Sequence, residues 1–440
     1  MNKTIKKVFS IASLALLSCA ASIQAQNPIS PAGVYIADPT GRVAVDGKMY
    51  IYGSLDYKVS DYCSTLYHVI SSPDLLNWTL YKNAFSSKGE GDEVSYSDLP
   101  MAAPDMLYRN GIYHLYYDLA DGTEGVAVSK NPEGPFKDGI LIDGALGIDP
   151  TAFIDDDGQA YYFWGQFSAK GAKMNPDMKT IDKSSIVDGV VTEKEHFFHE
   201  GGFIFKRNGL YYFIYTDISR QDRATCIGYA MAKSPLGPYE YKGVIIDNAG
   251  CDPEVWNNHG SIVEYKGQWY VLYHRSTHNS KSMRKACIEP ITFRPDGTIP
   301  EVAMTSQGAG KPLDAFQQID AARACLVWGN THIRLMEGRT DREELAGIRN
   351  EGAAAWKYLD FGKGVKKFKV RVKSQAGGII NIVNDEPWHP AMGQLQVPAG
   401  SDWVTLSCDV KSVSGVHAFW LGFFGEPGKD LFEIDWFSFE

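Results

Sequence analysis

Cysteine is scarce, seven in 440 residues, and no two lie close enough to form a metal-binding pair. Apart from Cys19 they are Cys63, Cys226, Cys251, Cys287, Cys325 and Cys408. That wide, irregular spacing excludes a small disulfide-stapled scaffold and a zinc pattern, so buried free thiols are expected. Basic clusters are lacking as well. With 43 Lys and Arg against 53 Asp and Glu, the net charge of −10 argues against a nucleic-acid partner. After the first 25 residues no apolar run is long enough to span a bilayer. Nor does any useful amphipathic helical stretch interrupt residues 30–305.

Aromatic side chains are abundant instead, 12% of residues with 24 Tyr and 10 Trp. Strands favour them, and stacking on flat sugar faces uses them, as does core packing. The length exceeds one ordinary core, so two domains are expected. The opening "MNKTIKKVFSIASLALLSCAASIQAQ" places Lys3, Lys6 and Lys7 before a short apolar run. It reads as a signal peptide over residues 1–25, cleaved after Ala25, which implies a secreted or periplasmic protein. The alternative is a lipoprotein anchored through Cys19, because "LLSC" resembles a bacterial lipobox.

A repeat organises the next stretch. "DGKMYIYG" at 46–53, "NGIYHLYY" at 110–117, "DGQAYYFW" at 157–164, "NGLYYFIY" at 208–215 and "KGQWYVLY" at 266–273 each pair a polar residue with Gly. These are residues that supply the positive φ of a tight hairpin turn. A strand apolar at both parities follows each turn, so it is covered on both faces. The glycines Gly47, Gly111, Gly158, Gly209 and Gly267 lie 64, 47, 51 and 58 residues apart, about one four-stranded blade per interval. "SSPDLLNW" at 71–78, "SKNPEGPF" at 129–136 and "AKSPLGPY" at 232–239 recur as turns between outer strands. Five units predict a five-bladed β-propeller; the alternative is a large β-sandwich with coincidental hairpins.

Counting back from the turn glycines locates the chemistry. Nine residues before Gly47, Gly158 and Gly209 stand Asp38, Asp149 and Glu200, and eight before Gly267 stands His259. The second unit offers Asp105, six before Gly111. In a propeller the innermost strand of each blade lines the central channel, so residues that begin those strands converge at one mouth. Taken singly, each "DP" is an ordinary turn initiator. Three acids at one register of a repeat are harder to explain that way, since mutual desolvation of carboxylates is costly. Paired carboxylates across an open pocket are the apparatus of glycoside hydrolysis: one donates a proton to the leaving oxygen and another activates water. A third negative charge nearby helps the acid hold its proton.

The "ADP" near the N-terminus, "IDPTAFIDDDGQAYYFWG", "EGGFIFKRNGLYYFIY" and "NHGSIVEYKGQWYVLYH" together resemble glycoside hydrolase family 43 over about residues 28–305. The resemblance implies an inverting enzyme on a five-bladed propeller acting on arabinose- or xylose-containing plant glycans. α-L-Arabinofuranosidase action on terminal residues is expected first, with β-xylosidase or a non-catalytic glycan-binding propeller as alternatives. It also implies roles: Asp38 as general base, Glu200 as general acid, and Asp149 as the residue that tunes and orients that acid. His259 matches a channel histidine beside a bound calcium or water, and Arg284 an arginine reaching toward the sugar. No cofactor is required for the chemistry itself. One departure is "AAPD", where Ala102 stands in place of a tryptophan common in the family.

The propeller motifs stop near Lys311–Leu313. Beyond them, "KKFKVRVKS", "GGIINIVND", "DWVTLSCDV" and "VHAFWLGFFG" alternate or cluster as strands, predicting a β-sandwich over residues 313–440. "YLDFG", "SGVHAFWLGFFG" and "IDWFSF" resemble a family 6 carbohydrate-binding module. That resemblance makes Trp356 and Trp388 candidate sugar-stacking residues, against core or rim packing. Its calcium site loses an acid at Ala322, leaving Asp320 and Asp435, so both calcium and sugar binding there stay open. Bracing the propeller is the other role.

Overall fold

The computed structural model describes residues 26–220 and 223–440; the expected signal peptide and Cys19 lie outside the described residues. All five turn glycines adopt the left-handed backbone, with φ of 77°, 84°, 82°, 76° and 82° in chain order. Each closes a hairpin between the first two strands of a sheet. The first four sheets begin with the strands Tyr35–Val43, Met101–Arg109, Thr151–Ile154 and Phe198–Arg207, and each meanders outward through four antiparallel strands. The fifth has three: Ser261–Tyr265, Gln268–Arg275 and Lys285–Ile291. First strands of successive sheets touch, and the last touches the first, so the ring is closed. The three outer-turn motifs connect third to fourth strands, as the repeat implies.

The fifth blade departs from the expected four strands. The chain just before the first blade covers its outer edge: Ile29 N–H donates to Ala286 O at 2.8 Å and Asn27 N–H to Ser306 O at 2.9 Å. The Asn27 side chain extends this pairing. Its Nδ2 donates to Ile288 O, Glu289 Oε1 and Thr305 O at 3.0, 2.9 and 3.0 Å, and its Oδ1 accepts from Ile288 N–H at 2.9 Å. An edge strand left bare would expose unpaired backbone groups; Asn27 satisfies them and latches the ring. Asn27→Ala leaves a buried N–H and a buried carboxylate short of partners and is expected to cost about 3 kcal/mol. Urea unfolding measures this, and a loss below about 1 kcal/mol would show that the latch does not hold the ring.

The C-terminal region is a sandwich of two six-stranded sheets. One contains Gly352–Asp360, Val416–Phe424 and Gly378–Asn384; the other contains Phe432–Phe439, Lys367–Ser374 and Trp403–Asp409. Phe368, Phe419, Phe437 and Phe439 fill the space between them. The sandwich docks on the propeller through Val327 N–H to Gly250 O at 2.7 Å and through the buried Lys285–Glu343 ion pair at 2.6 Å. All six cysteines of the described residues are free thiols; five are buried and Cys408 is half-buried. Among the described residues no helix is long and apolar enough to cross a membrane.

Candidate active site

At the mouth of the channel the inner strands share a distortion. Asp38, Ala103, Asp149 and Gly201 all have left-handed φ values, 50°, 37°, 57° and 69°. Pairing with the neighbouring strand slips at the same points, between Ala37 and Thr40, Ala102 and Asp105, and around Glu200. Such a bulge bends the strand and re-aims a side chain, and Asp tolerates it better than most residues. The repeat therefore turns the chain at one level on four blades, and the carboxylates of three of them face a common space.

Asp38 is 5% exposed and held from every side. Its Oδ1 accepts from Arg284 Nη1 at 2.8 Å, its Oδ2 from Ser54 Oγ at 2.6 Å, and its N–H donates to His274 Nδ1 at 3.2 Å. Burial alone would raise its pKa, but the Arg284 guanidinium, the His274 contact and the His259 imidazole together hold it well below the usual carboxylate range. Arg284 in turn grips Asp56, with Nε and Nη2 donating to its two oxygens at 2.9 and 3.0 Å. Arg284, expected to reach toward a sugar, is thus placed against the carboxylate of Asp38. It is 2% exposed and its guanidinium points at the two aspartates, while the Tyr62 ring lies 4.7 Å beneath it.

Asp149 and Glu200 meet through the backbone. Asp149 Oδ2 accepts from Gly201 N–H, the amide following Glu200, at 2.9 Å. Burial and then the negative charges of Glu200 and Asp38 push the Asp149 pKa well above its usual value, so these groups lie within electrostatic reach of each other. Glu200 itself is half-buried and accepts from Gln166 Nε2 at 2.9 Å and Asn257 Nδ2 at 3.2 Å, which aim it from the third and fifth blades. His259 stands 3.6 Å from Asp38 Oδ1 and packs on Gly201, where an added Cβ would lie 2.9 Å from its ring. Burial lowers its pKa, which favours the neutral imidazole.

Several site residues have no motif of their own: Asp56, His274, Gln166, Asn257 and Asp118. Asp118 accepts the Asp149 N–H at 3.4 Å and pairs across strands with Ala102, the position of the missing tryptophan, and with Glu124. Burial, then Asp149 and Glu124, raise the Asp118 pKa. A signal existed for two of them. Asp56 ends its second strand nine residues after its turn glycine and Asp217 ends its own eight after Gly209, while Asp118 stands one residue before its strand's end, seven after Gly111.

Other candidates lie elsewhere. Asp105 does not join the carboxylates; it forms an ion pair with Arg42 at 2.7 Å and accepts from Thr151 and Ala152 further down the channel. Trp356 is fully buried, 4.8 Å from Phe437 and 5.8 Å from Phe419, so it is core and cannot stack on a sugar. Trp388 is 77% exposed. Asp435 is engaged by Arg342 and Arg371 and so is not available to a calcium ion with Asp320. Around His259, the described residues bring no three His, Cys, Asp or Glu side chains into a metal cluster.

Carboxylates gathered near one mouth of a five-bladed propeller fit the paired-acid chemistry of glycoside hydrolysis. The chain belongs to the glycosyl hydrolases family 43, whose model matches residues 25–299, and a carbohydrate binding module (family 6) matches residues 330–440. Among curated proteins it is 28% identical to a xylosidase/arabinosidase of Thermoclostridium stercorarium, over 92% of this chain and 97% of that protein. Among solved structures it is similar to a family 43 arabinoxylan arabinofuranohydrolase from Bacillus subtilis in complex with cellotetraose: 25% identity, TM-score 0.55, 95% of this chain and 99% of that one. It is also similar to a β-xylosidase/α-arabinofuranosidase from a compost microbial metagenome, in a calcium-free form with xylotriose. There the identity is 26% and the TM-score 0.55, over 64% of this chain and 99% of that one. The chain is a glycosidase.

Proposed function

We propose that this glycosidase inverts configuration while releasing terminal α-L-arabinofuranose from plant cell-wall glycans. The observation that carries the mechanism is the contrast between neighbouring carboxylates. Arg284 keeps Asp38 ionised, fitting it to take a proton from water. Glu200, aimed by two amides and seated beside Asp149, is the proton donor to the leaving oxygen. Asp149 holds the backbone of Glu200 in place and sets the charge around it. A β-xylosidase is the second reading, supported by the names of the relatives, since both sugars present similar hydroxyls to a shallow pocket.

A calcium ion beside His259 belongs to the same proposal. The described side chains around His259 offer such an ion one buried imidazole and no cluster of oxygen donors, so no step of the proposal is routed through it; the carboxylates carry the proton transfers. Trp388 is the remaining candidate for glycan contact on the sandwich. A location outside the cytoplasm, free or tethered through Cys19, completes the reading.

A panel of aryl arabinofuranosides, xylosides and galactosides tests the sugar. The expected result is fastest turnover on the arabinofuranoside, with the first-released sugar of inverted anomeric configuration by NMR. A faster xyloside selects the second reading, and retained configuration would mean that a carboxylate attacks the sugar directly.

A further inference from the structure

The loop joining the last two strands of the fifth blade, residues 276–284, ends at Arg284 and begins against the sandwich. His278 N–H donates to Ile333 O at 2.6 Å, and Leu335 N–H donates back to His278 Nε2 at 3.2 Å, so the loop pairs with sandwich strand His332–Leu335. With Nε2 accepting, the neutral ring carries its proton on Nδ1. Nδ1 lies 2.8 Å from Thr277 Oγ1, and Thr277 Oγ1 donates to Met283 O at 2.6 Å. The hydrogen bonds therefore run one way, from a sandwich amide through imidazole and hydroxyl to the carbonyl preceding Arg284. Arg284 N–H continues to Asp56 at 3.0 Å, and its side chain reaches Asp38. His278, Asn279 and Met283 all sit at left-handed φ, 67°, 52° and 54°, a strain that persists only where surroundings over-determine it.

We propose that His278 and Thr277 are positioning residues through which the sandwich sets the place of Arg284, and hence of Asp38. The C-terminal domain is then a structural part of the catalytic site. This rests on Asp38 being the base. The relay needs a neutral imidazole, because a proton on Nε2 would oppose the Leu335 N–H. Facing His278 are Glu343, Lys285, Arg334, His332 and the Tyr35 ring, 5.3 Å away edge-on. Burial first, then His332, Lys285 and Arg334 against Glu343, hold the His278 pKa down to about 4. The relay thus stays intact at neutral pH.

Thr277→Val, Thr277→Ser, His278→Phe and the Thr277→Val/His278→Phe double variant of the full chain test the proposal. Thr277→Val and His278→Phe are each expected to lower kcat on an aryl glycoside by roughly ten- to a hundredfold, the effect of a small misplacement, with KM within about twofold. Thr277→Ser, which keeps the hydroxyl, restores wild-type kcat, and the double variant is no worse than the poorer single. Hydrogen exchange at the Arg284 amide is expected to quicken in Thr277→Val but not in Thr277→Ser. Wild-type kcat and exchange in Thr277→Val would overturn the relay, as would multiplying losses in the double variant or a Thr277→Ser loss equal to that of Val. If His278→Phe does not fold, the Val and Ser pair decides alone. Failure of the base assignment reads out separately, as full turnover by Asp38→Asn, and the Arg284 exchange test still reports on the relay.

Discussion

Asp38→Asn is expected to remove about 10³- to 10⁴-fold of kcat on aryl glycosides and natural glycans alike, because no other side chain is placed to take the proton from water. The amide keeps the shape: its single oxygen still accepts from Arg284, while its NH2 meets Ser54 Oγ as a donor, so the space is not emptied. Arg284 stays paired with Asp56 through two hydrogen bonds, so folding is expected to survive. The sign of the pH effect follows from the same contacts. Asp38 is held ionised below the usual carboxylate range, so the acid limb of the kcat/KM profile cannot be its titration. An acid limb that disappears in a slow but active Asp38→Asn enzyme would contradict that, and full turnover would end the assignment.

Glu200→Ala separates substrates. Natural glycans leave as poor alkoxides and need a proton, so their hydrolysis is expected to fall about 10²- to 10⁴-fold. An aryl glycoside with an acidic phenol leaves without one and is expected to lose less than about tenfold. The replacement frees the exposed Gln166 and the buried Asn257, which borders the space the glutamate vacates, and leaves the Asp149–Gly201 contact in place. Parallel losses on both substrates would mean that Glu200 serves shape rather than proton donation.

The three carboxylates were legible because a propeller repeats: one register, counted from a turn glycine, names equivalent places on separate sheets. Their supports were harder to see. Asp56 meets Arg284 across 228 residues of sequence, and no local pattern marks such a pair. Gln166 and Asn257 sit in loops outside the repeat, where spacing carries no information. Trp356 misled for a different reason. In "GAAAWKYLD" the flanking alanines are small on both parities, so alternation does not say which face is inside, and the sandwich core takes the indole. The three-stranded fifth blade was hidden too, since Asn27 supplies by side chain much of the pairing that a fourth strand would supply by backbone.

That latch joins positions 261 residues apart. A ribosome delivers Asn27 near the start of the domain and Ile288 near its finish, so four blades can assemble while the circle stays open. Closure then comes late and all at once, a loop of high contact order that slows folding. Until it forms, the bare margin of Lys285–Ile291 is open to foreign strands. Maturation of the enzyme therefore has a vulnerable interval whose length is set by the short segment from Asn27 to Ile29.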